Sequence, residues 1–342
     1  MSNELLALFA TAVTYLVVLF LIAYATDSGI LPRSLVRHPL VYVLSLGVYA
    51  TSWSFYGSVG FAAEQGYQFL TIYLGVTLAF VLSPVLLRPL LHLVREYQLI
   101  SLADLFAFRY RSQLAGAVVT LFMLVGTLPY IALQIRAVTE SLYVLTDEAT
   151  PQVLALTFCA TLILFAILFG ARHISPREKH QGLVVAIAFE SLVKLLALLV
   201  VGGFALFGVF SGPAELDRWL TAHPDALQVL YRPVGESPWF ALVFLAFAAA
   251  FLLPRQFHMG FTENLDPRGL GHASWGLPLF LLLLNLPILP ILWAGERAGL
   301  ELNPDYYVLG ITLHQGPGWL SVLAFIGGVS AASAMVIVTS IA

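Results

Sequence analysis

Four ionisable residues stand inside long apolar stretches, and their spacing is the first pointer to chemistry. Arg136 and Glu140 lie four positions apart, and so do Glu190 and Lys194. On a helix, residues four apart share a face, so each pair can meet. An ionisable group in hydrocarbon is costly and marks a functional position by default. Two readings stay open. Either each pair is neutralised internally near a span end or toward the protein interior, or all four groups line a common relay for protons or a solute.

Two further stretches carry polar chemistry. Residues 45–63 read SLGVYATSWSFYGSVGFAA. Their small side chains permit close packing against another helix. They equally permit a locally unwound helix whose carbonyls coordinate an ion or solute, with Trp53 and Tyr56 as aromatic cover. Residues 325–342 read FIGGVSAASAMVIVTSIA, with Ser330 and Ser333 one turn apart. These hydroxyls either bond a neighbouring helix or offer oxygen ligands to a hard cation such as Na+. In LLPRQFHMGFTENLDP (252–267), Pro254 breaks the helix, and Arg255, Gln256 and His258 follow. His258 reads as a structural or solvated histidine. His173 and His180 flank a charged loop without a recognisable metal cluster. Soluble-enzyme motifs are missing: there is no G-x-x-x-x-G-K-[ST], no H-E-x-x-H and no G-x-S-x-G. The single cysteine, Cys159, excludes a disulfide framework and a cysteine-based zinc site within one chain.

The elements that must position these residues are membrane spans. Of 342 residues, 60% are hydrophobic and 10% charged, against roughly 25% charged in a soluble domain. So few charges cannot cover a water-soluble surface, and the hydrophobicity excludes disorder. A net charge of −3 argues against a nucleic-acid partner. The lipid bilayer is the implied solvent, and the fold class is an all-α polytopic membrane protein. About 20 apolar residues cross the hydrocarbon, and nine runs qualify: 5–25, 39–62, 68–94, 113–145, 152–170, 182–211, 237–254, 273–295 and 317–342. The first lacks a basic n-region and reads as a retained helix.

Orientation follows from lysine and arginine. Eleven of the 16 fall in alternate loops: Arg33, Arg37, Arg88, Arg95, Arg109, Arg111, Arg172, Arg177, Lys179, Arg255 and Arg268. The other loops hold only Arg218, Arg232 and Arg297. The cation-rich side is therefore cytoplasmic and the N-terminus outside. Cytoplasmic loops are expected at 26–38, 95–112, 171–181 and 255–272. Ser101 opens a capping-box-like start to a short interfacial helix, LADLFAFRYRS. The long outer loop 212–236 holds a weakly helical AELDRWLTAH. The run ending at Ala342 has no basic stop, so the chain is expected to be the front part of a longer polypeptide.

Five segments together resemble the sodium:solute symporter family, which has a LeuT-like core. They are ATSWSFYGSVGFAAEQG (50–66), SLADLFAFRYRS (101–112), LPYIALQIRAVTES (128–141), LLPRQFHMGFTENLDP (252–267) and GGVSAASAMVIVTS (327–340). The resemblance is strongest to the subgroup fused to bacterial sensor histidine kinases, the CbrA type. It implies a leading helix (1–38), a first five-helix repeat (39–211), an outer loop (212–236) and an incomplete, inverted second repeat of three helices (237–342). It places backbone cation ligands at Gly47 and Ala50 and further ligands at Gly327 and Ser330. Two departures weaken sodium ligation: Ala331 stands where the family has a second hydroxyl, and Tyr49 stands near an acidic position. Proton coupling or cation-independent sensing thereby gains weight, and coupling to Na+ or H+ stays open.

The implied function is the N-terminal membrane domain of a sensor histidine kinase in the bacterial inner membrane. It would bind a small, amino-acid-like solute, transporting it or only sensing it. Its partners would be downstream kinase domains and a response regulator. The alternative is a stand-alone sodium- or proton-coupled symporter, truncated here. No enzyme cofactor is expected. The solute pocket is expected near the midplane, at Trp53, Tyr56, Tyr130, Gln134 and the Pro254 break.

Overall fold

The computed structural model describes residues 2–148, 152–169, 179–231 and 238–342. Arg172, His173, Arg177 and Arg232, which enter the sequence reading, lie outside them. The described residues form helices joined by short turns, and no strand occurs among them. Burial, not amphipathicity, sorts these helices. The long spans are apolar on most faces, and the outward faces leave side chains such as Leu21, Phe122 and Phe240 exposed for lipid.

Five helices are long and apolar enough to cross a membrane singly: Asn3–Asp27, Gln113–Thr146, Gln181–Val209, Arg268–Arg297 and Gly318–Ile341. A sixth span is a bent pair, Trp239–Leu252 and Pro254–Thr262, turned by 50° at Leu253. Pro254 sits at the first position of the second half, where its missing N–H costs nothing, and Leu253 before it is extended. The helix thus resumes instead of ending, and the loop expected from residue 255 starts only after Thr262. The other expected spans are helical but interrupted or short. Residues 39–62 become Pro39–Ser45, a 3-10 turn Leu46–Tyr49, a π turn Trp53–Gly57 and Ser58–Gln65. Residues 68–94 become Leu70–Val81 and Leu87–Glu96, and 152–170 contains Gln152–Phe169.

Helix Gln181–Phe204 is the hub. It packs on Gly318–Ile341, Asn3–Asp27 and Pro39–Ser45. Gly327 and Gly328 let Gly318–Ile341 lie on the first broken helix, since a methyl at either would strike the ring of Phe55 or Tyr56. Contacts also sort the loops into two ends. At one, the Ser2 N–H donates to Glu148. At the other, Gly182 N–H donates to Asp27 and Thr262 Oγ1 to the Ile100 carbonyl. The short helix Leu102–Tyr110 lies at this second, predicted inner end. It is capped reciprocally, with Ser101 Oγ accepting from Asp104 N–H and Asp104 Oδ2 from Ile100 N–H. The weakly helical stretch of the outer loop is a helix, Pro213–Ala222.

Candidate functional site

The first broken helix leaves α-helical geometry between Leu46 and Ser52: Ala50 N–H still donates to the Gly47 carbonyl in a tight turn, but other carbonyls and N–H groups there lose their regular partners inside the protein. Buried backbone groups need partners, and three other helices supply them. Lys194 Nζ donates to the carbonyls of Gly47 (3.0 Å) and Ala50 (2.6 Å). Gln256, from the second broken helix, donates to the Leu46 carbonyl at 3.4 Å. Gln134 Oε1 accepts from both the N–H (3.1 Å) and the hydroxyl (2.8 Å) of Ser52. Tyr130 and Thr51 share a hydroxyl–hydroxyl bond of 3.0 Å. The break is therefore a built feature, with its acceptors met by a lysine and its donors by a glutamine.

The resemblance-derived cation residues come together, but side chains already serve them. Lys194, only 1% exposed, occupies the Gly47 and Ala50 carbonyls. Ser330 Oγ donates to the Glu190 carbonyl at 2.7 Å, a bond between helices. Ser333 donates to Glu190 Oε1, while Glu190 Oε2 is buried without a hydrogen bond. Gly327 packs on Phe55 and Ala197. The expected meeting of Glu190 with Lys194 does not form: the lysine turns to the carbonyls, and the carboxylate to Ser333. Both sit one turn apart on the hub helix, but they face different partners.

The expected solute residues converge on one cavity. Trp53, Tyr56, Tyr130 and Gln134 line a space of about 200 Å³, together with Ser52, Arg136, Glu140, Asn303, Asp305 and Tyr306. Arg136 and Glu140 do form their ion pair, and it is not buried: the arginine side chain is 70% exposed. Helix Gln113–Thr146 is ~51 Å long at 1.5 Å per residue, well beyond the ~30 Å hydrocarbon. The pair lies in the C-terminal third of this helix, at its predicted outer end and exposed, not in a shared relay with Glu190 and Lys194. Tyr306 Oη donates to Glu140 Oε2 at 2.5 Å, which ties the 303–306 turn to the long helix across the cavity wall.

Sequence reasoning missed one residue outright. Arg255, counted among the inner-loop cations, is 2% exposed at the second helix break. Its guanidinium lies 5.0 Å from the centre of the Tyr130 ring. Nε and Nη1 are buried without hydrogen-bond partners. A cation over a tyrosine face is attracted by the ring quadrupole, but that leaves planar donors unfilled. The signal was present in the sequence, since an arginine directly after a helix-breaking proline in an apolar run starts a half-helix inside the membrane.

At the predicted inner end, Glu263 accepts from the His180 N–H (2.9 Å) and meets His180 Nδ1 at 2.7 Å and His258 Nε2 at 3.2 Å. Burial alone would raise the Glu263 pKa. The hydrogen bonds from His180 and the nearness of both imidazoles outweigh it and hold the carboxyl at about 2.

Comparison with known proteins fits this architecture. The model of the sodium:solute symporter family matches residues 33–308. The chain is 23% identical over 305 residues to the uncharacterized symporter YhjB of Bacillus subtilis (strain 168), covering 85% of this chain. It spans 58% of the length of that curated relative. A solved structure of a Na+-coupled sialic acid symporter, in its substrate-bound outward-open state, matches with a TM-score of 0.70 and 15% identity. The match covers 97% of this chain and 72% of that one. With two broken helices, a buried unwound segment and a family match over most of its length, the chain belongs to the sodium:solute symporter family.

Proposed function

We propose that this chain is a solute-binding membrane domain of the symporter type, whose ligand is a small organic molecule carrying a carboxylate, such as an amino acid. The observation that carries this reading is the cavity at residues 52–57, 130–140 and 303–306, with the unfilled donors of Arg255 behind Tyr130. Discontinuous helices with a site at their breaks suit transport of a small solute. The aromatic walls cover the apolar part of the ligand, and the planar guanidinium donors match a carboxylate. The broken helices head the two expected repeats, 39–211 and 237–342, in keeping with an inverted pair.

At the Gly47 and Ala50 carbonyls, Lys194 supplies the positive charge that a Na+ ion held there with Gly327 and Ser330 would otherwise bring. Sodium ligation by this carbonyl pair requires the lysine to leave it, so proton coupling or sodium-independent binding is the favoured mode. Membership of a kinase-linked subgroup, in the inner membrane with an external N-terminus, is supported by the five segments in register and the cation-rich loops. Sequence beyond residue 342 encoding kinase domains would establish it, and a short remainder completing the bundle would favour the stand-alone symporter.

Calorimetry on the purified protein with a panel of amino acids, and with matched amines lacking the carboxylate, tests the function. Trp53→Ala is expected to weaken binding by about 1–3 kcal/mol, with Phe122→Ala on the lipid face as the silent control. Equal, small effects at both positions, or tighter binding of the amines, would place the pocket elsewhere.

A further inference from the structure

The cluster of His180, His258 and Glu263 is separate from the solute cavity and unused by the reading above. We propose that His180 Nδ1, His258 Nε2 and the Glu263 carboxylate form a binding site for a divalent transition-metal ion of the Zn2+ class, clamping two helices together at the predicted inner end. The three ligand atoms lie within 4.8 Å of one another. A tetrahedral ion ~2.1 Å from each ligand spaces them by ~3.4 Å. Against that spacing, the observed 2.7 and 3.2 Å separations from Glu263 Oε1 need about 0.7 and about 0.2 Å of opening.

The backbone is shaped to bring the ligands together. His258 and Glu263 are five positions apart, which on an α-helix would turn them ~140° from each other. Residues His258–Thr262 instead form a π turn, closed by Glu263 N–H donating to the His258 carbonyl at 2.8 Å. One π turn puts both side chains on the same face, and such turns gather at functional sites. Glu263 is 3% and His258 7% exposed. His258 Nε2, though 3.2 Å from the carboxylate, makes no hydrogen bond. Of the described residues nearby, Lys179 donates to the Thr262 carbonyl, and Arg95 to the carbonyl and side chain of Asn264.

Two imidazoles and a carboxylate are a three-ligand set that leaves a fourth position for water or another ligand. Glu263 also lines a cavity of about 480 Å³, which gives an ion a way in. His180 precedes helix Gln181–Phe204, and His258 and Glu263 end the second broken helix, so a bound ion resists their separation.

The purified protein, stripped by chelation and titrated with Zn2+ alone, is expected to hold one ion per chain and to melt at a higher temperature with it. Co2+ in its place is expected to give the strong visible absorption of a tetrahedral site. His258→Ala and Glu263→Gln are expected to weaken binding more than the ~10-fold that losing an outer hydrogen bond to a ligand causes. His272→Ala, at the cavity rim, is expected to leave it unchanged. The wild-type Co2+ spectrum needs no variant and so stands even if one of them folds poorly. No stoichiometric binding by the wild type, a weak octahedral Co2+ spectrum, or full binding by the His180→Ala/His258→Ala double variant would overturn the assignment. None of these outcomes depends on whether the solute reading holds.

Discussion

Removing the amino group of Lys194 tests the link between the helix break and ion dependence most directly. Lys194→Ala deletes the donors to the carbonyls of Gly47 and Ala50 and leaves both buried. A hydrogen bond from a charged donor contributes about 1.5–3 kcal/mol, so losing two costs roughly 3–6 kcal/mol. Relief from burying the lysine charge offsets part of this, which leaves an expected loss of about 2–5 kcal/mol. The vacated space is faced by carbonyl oxygens, which a hard monovalent cation can refill. Thermal unfolding of the purified protein would be compared in NaCl and in choline chloride at equal ionic strength. The wild type is expected to melt alike in both, whereas Lys194→Ala is expected to melt lower in choline and to recover in part with Na+. Lys194→Met should lose stability without the sodium rescue, because its side chain fills the space. A wild type that melts higher in Na+ than in choline, or whose solute affinity rises tenfold with Na+, would refute the reasoning.

Other consequences are open to measurement. Arg255→Gln should weaken carboxylate solutes by about 10- to 150-fold, the equivalent of one charge-assisted bond at 1.5–3 kcal/mol, and leave matched amines unaffected in calorimetry. A methyl at Gly60 would overlap the Asp305 carboxylate and come within 3.1 Å of its backbone nitrogen. Gly60→Ala should therefore lift the 303–306 turn and speed thiol labelling of an Asn303→Cys variant in a Cys159→Ser background. Burial, then the nearby Glu64 and Glu140 carboxylates, raises the Asp305 pKa in the docked turn. Docking thus takes up protons: its advantage is full below the free carboxylate's value and is lost as pH rises through the raised one. Labelling at position 303 should slow as pH falls through this window, and Asp305→Asn should flatten the dependence. Cysteines placed in the 95–112 loop should resist labelling from outside intact cells, and ready labelling there would reverse the orientation.

Hydropathy and helix-breaking residues made much of this architecture legible before any coordinates. Runs of 20 apolar residues locate helices, and Pro254 locates a break. The convergence of Trp53, Tyr56, Tyr130 and Gln134 was legible only through the family's segments, because their neighbourhood joins residues some 80 positions apart. Two charged residues were misplaced for one reason. A count of cations treats every arginine after an apolar run as a loop residue, so Arg255 was assigned to water. Spacing four along a helix likewise suggested that Lys194 meets Glu190, but an unwound neighbour offers better acceptors than a carboxylate on the same helix. The His180–His258–Glu263 cluster was hidden by its π turn, since no simple periodicity places residues 258 and 263 together.

The lysine at the helix break also bears on how the chain is made. A carbonyl pair that relies on a dissolved ion is satisfied only at the ion concentrations that fill it. Lys194 is tethered to the same chain, so its local concentration at Gly47 and Ala50 does not vary with the medium. The unwound segment can therefore acquire its partners as soon as helix Gln181–Phe204 packs beside it, whatever salt gradient the cell maintains. On this reading, assembly of the helix break is expected not to depend on the cell's supply of sodium.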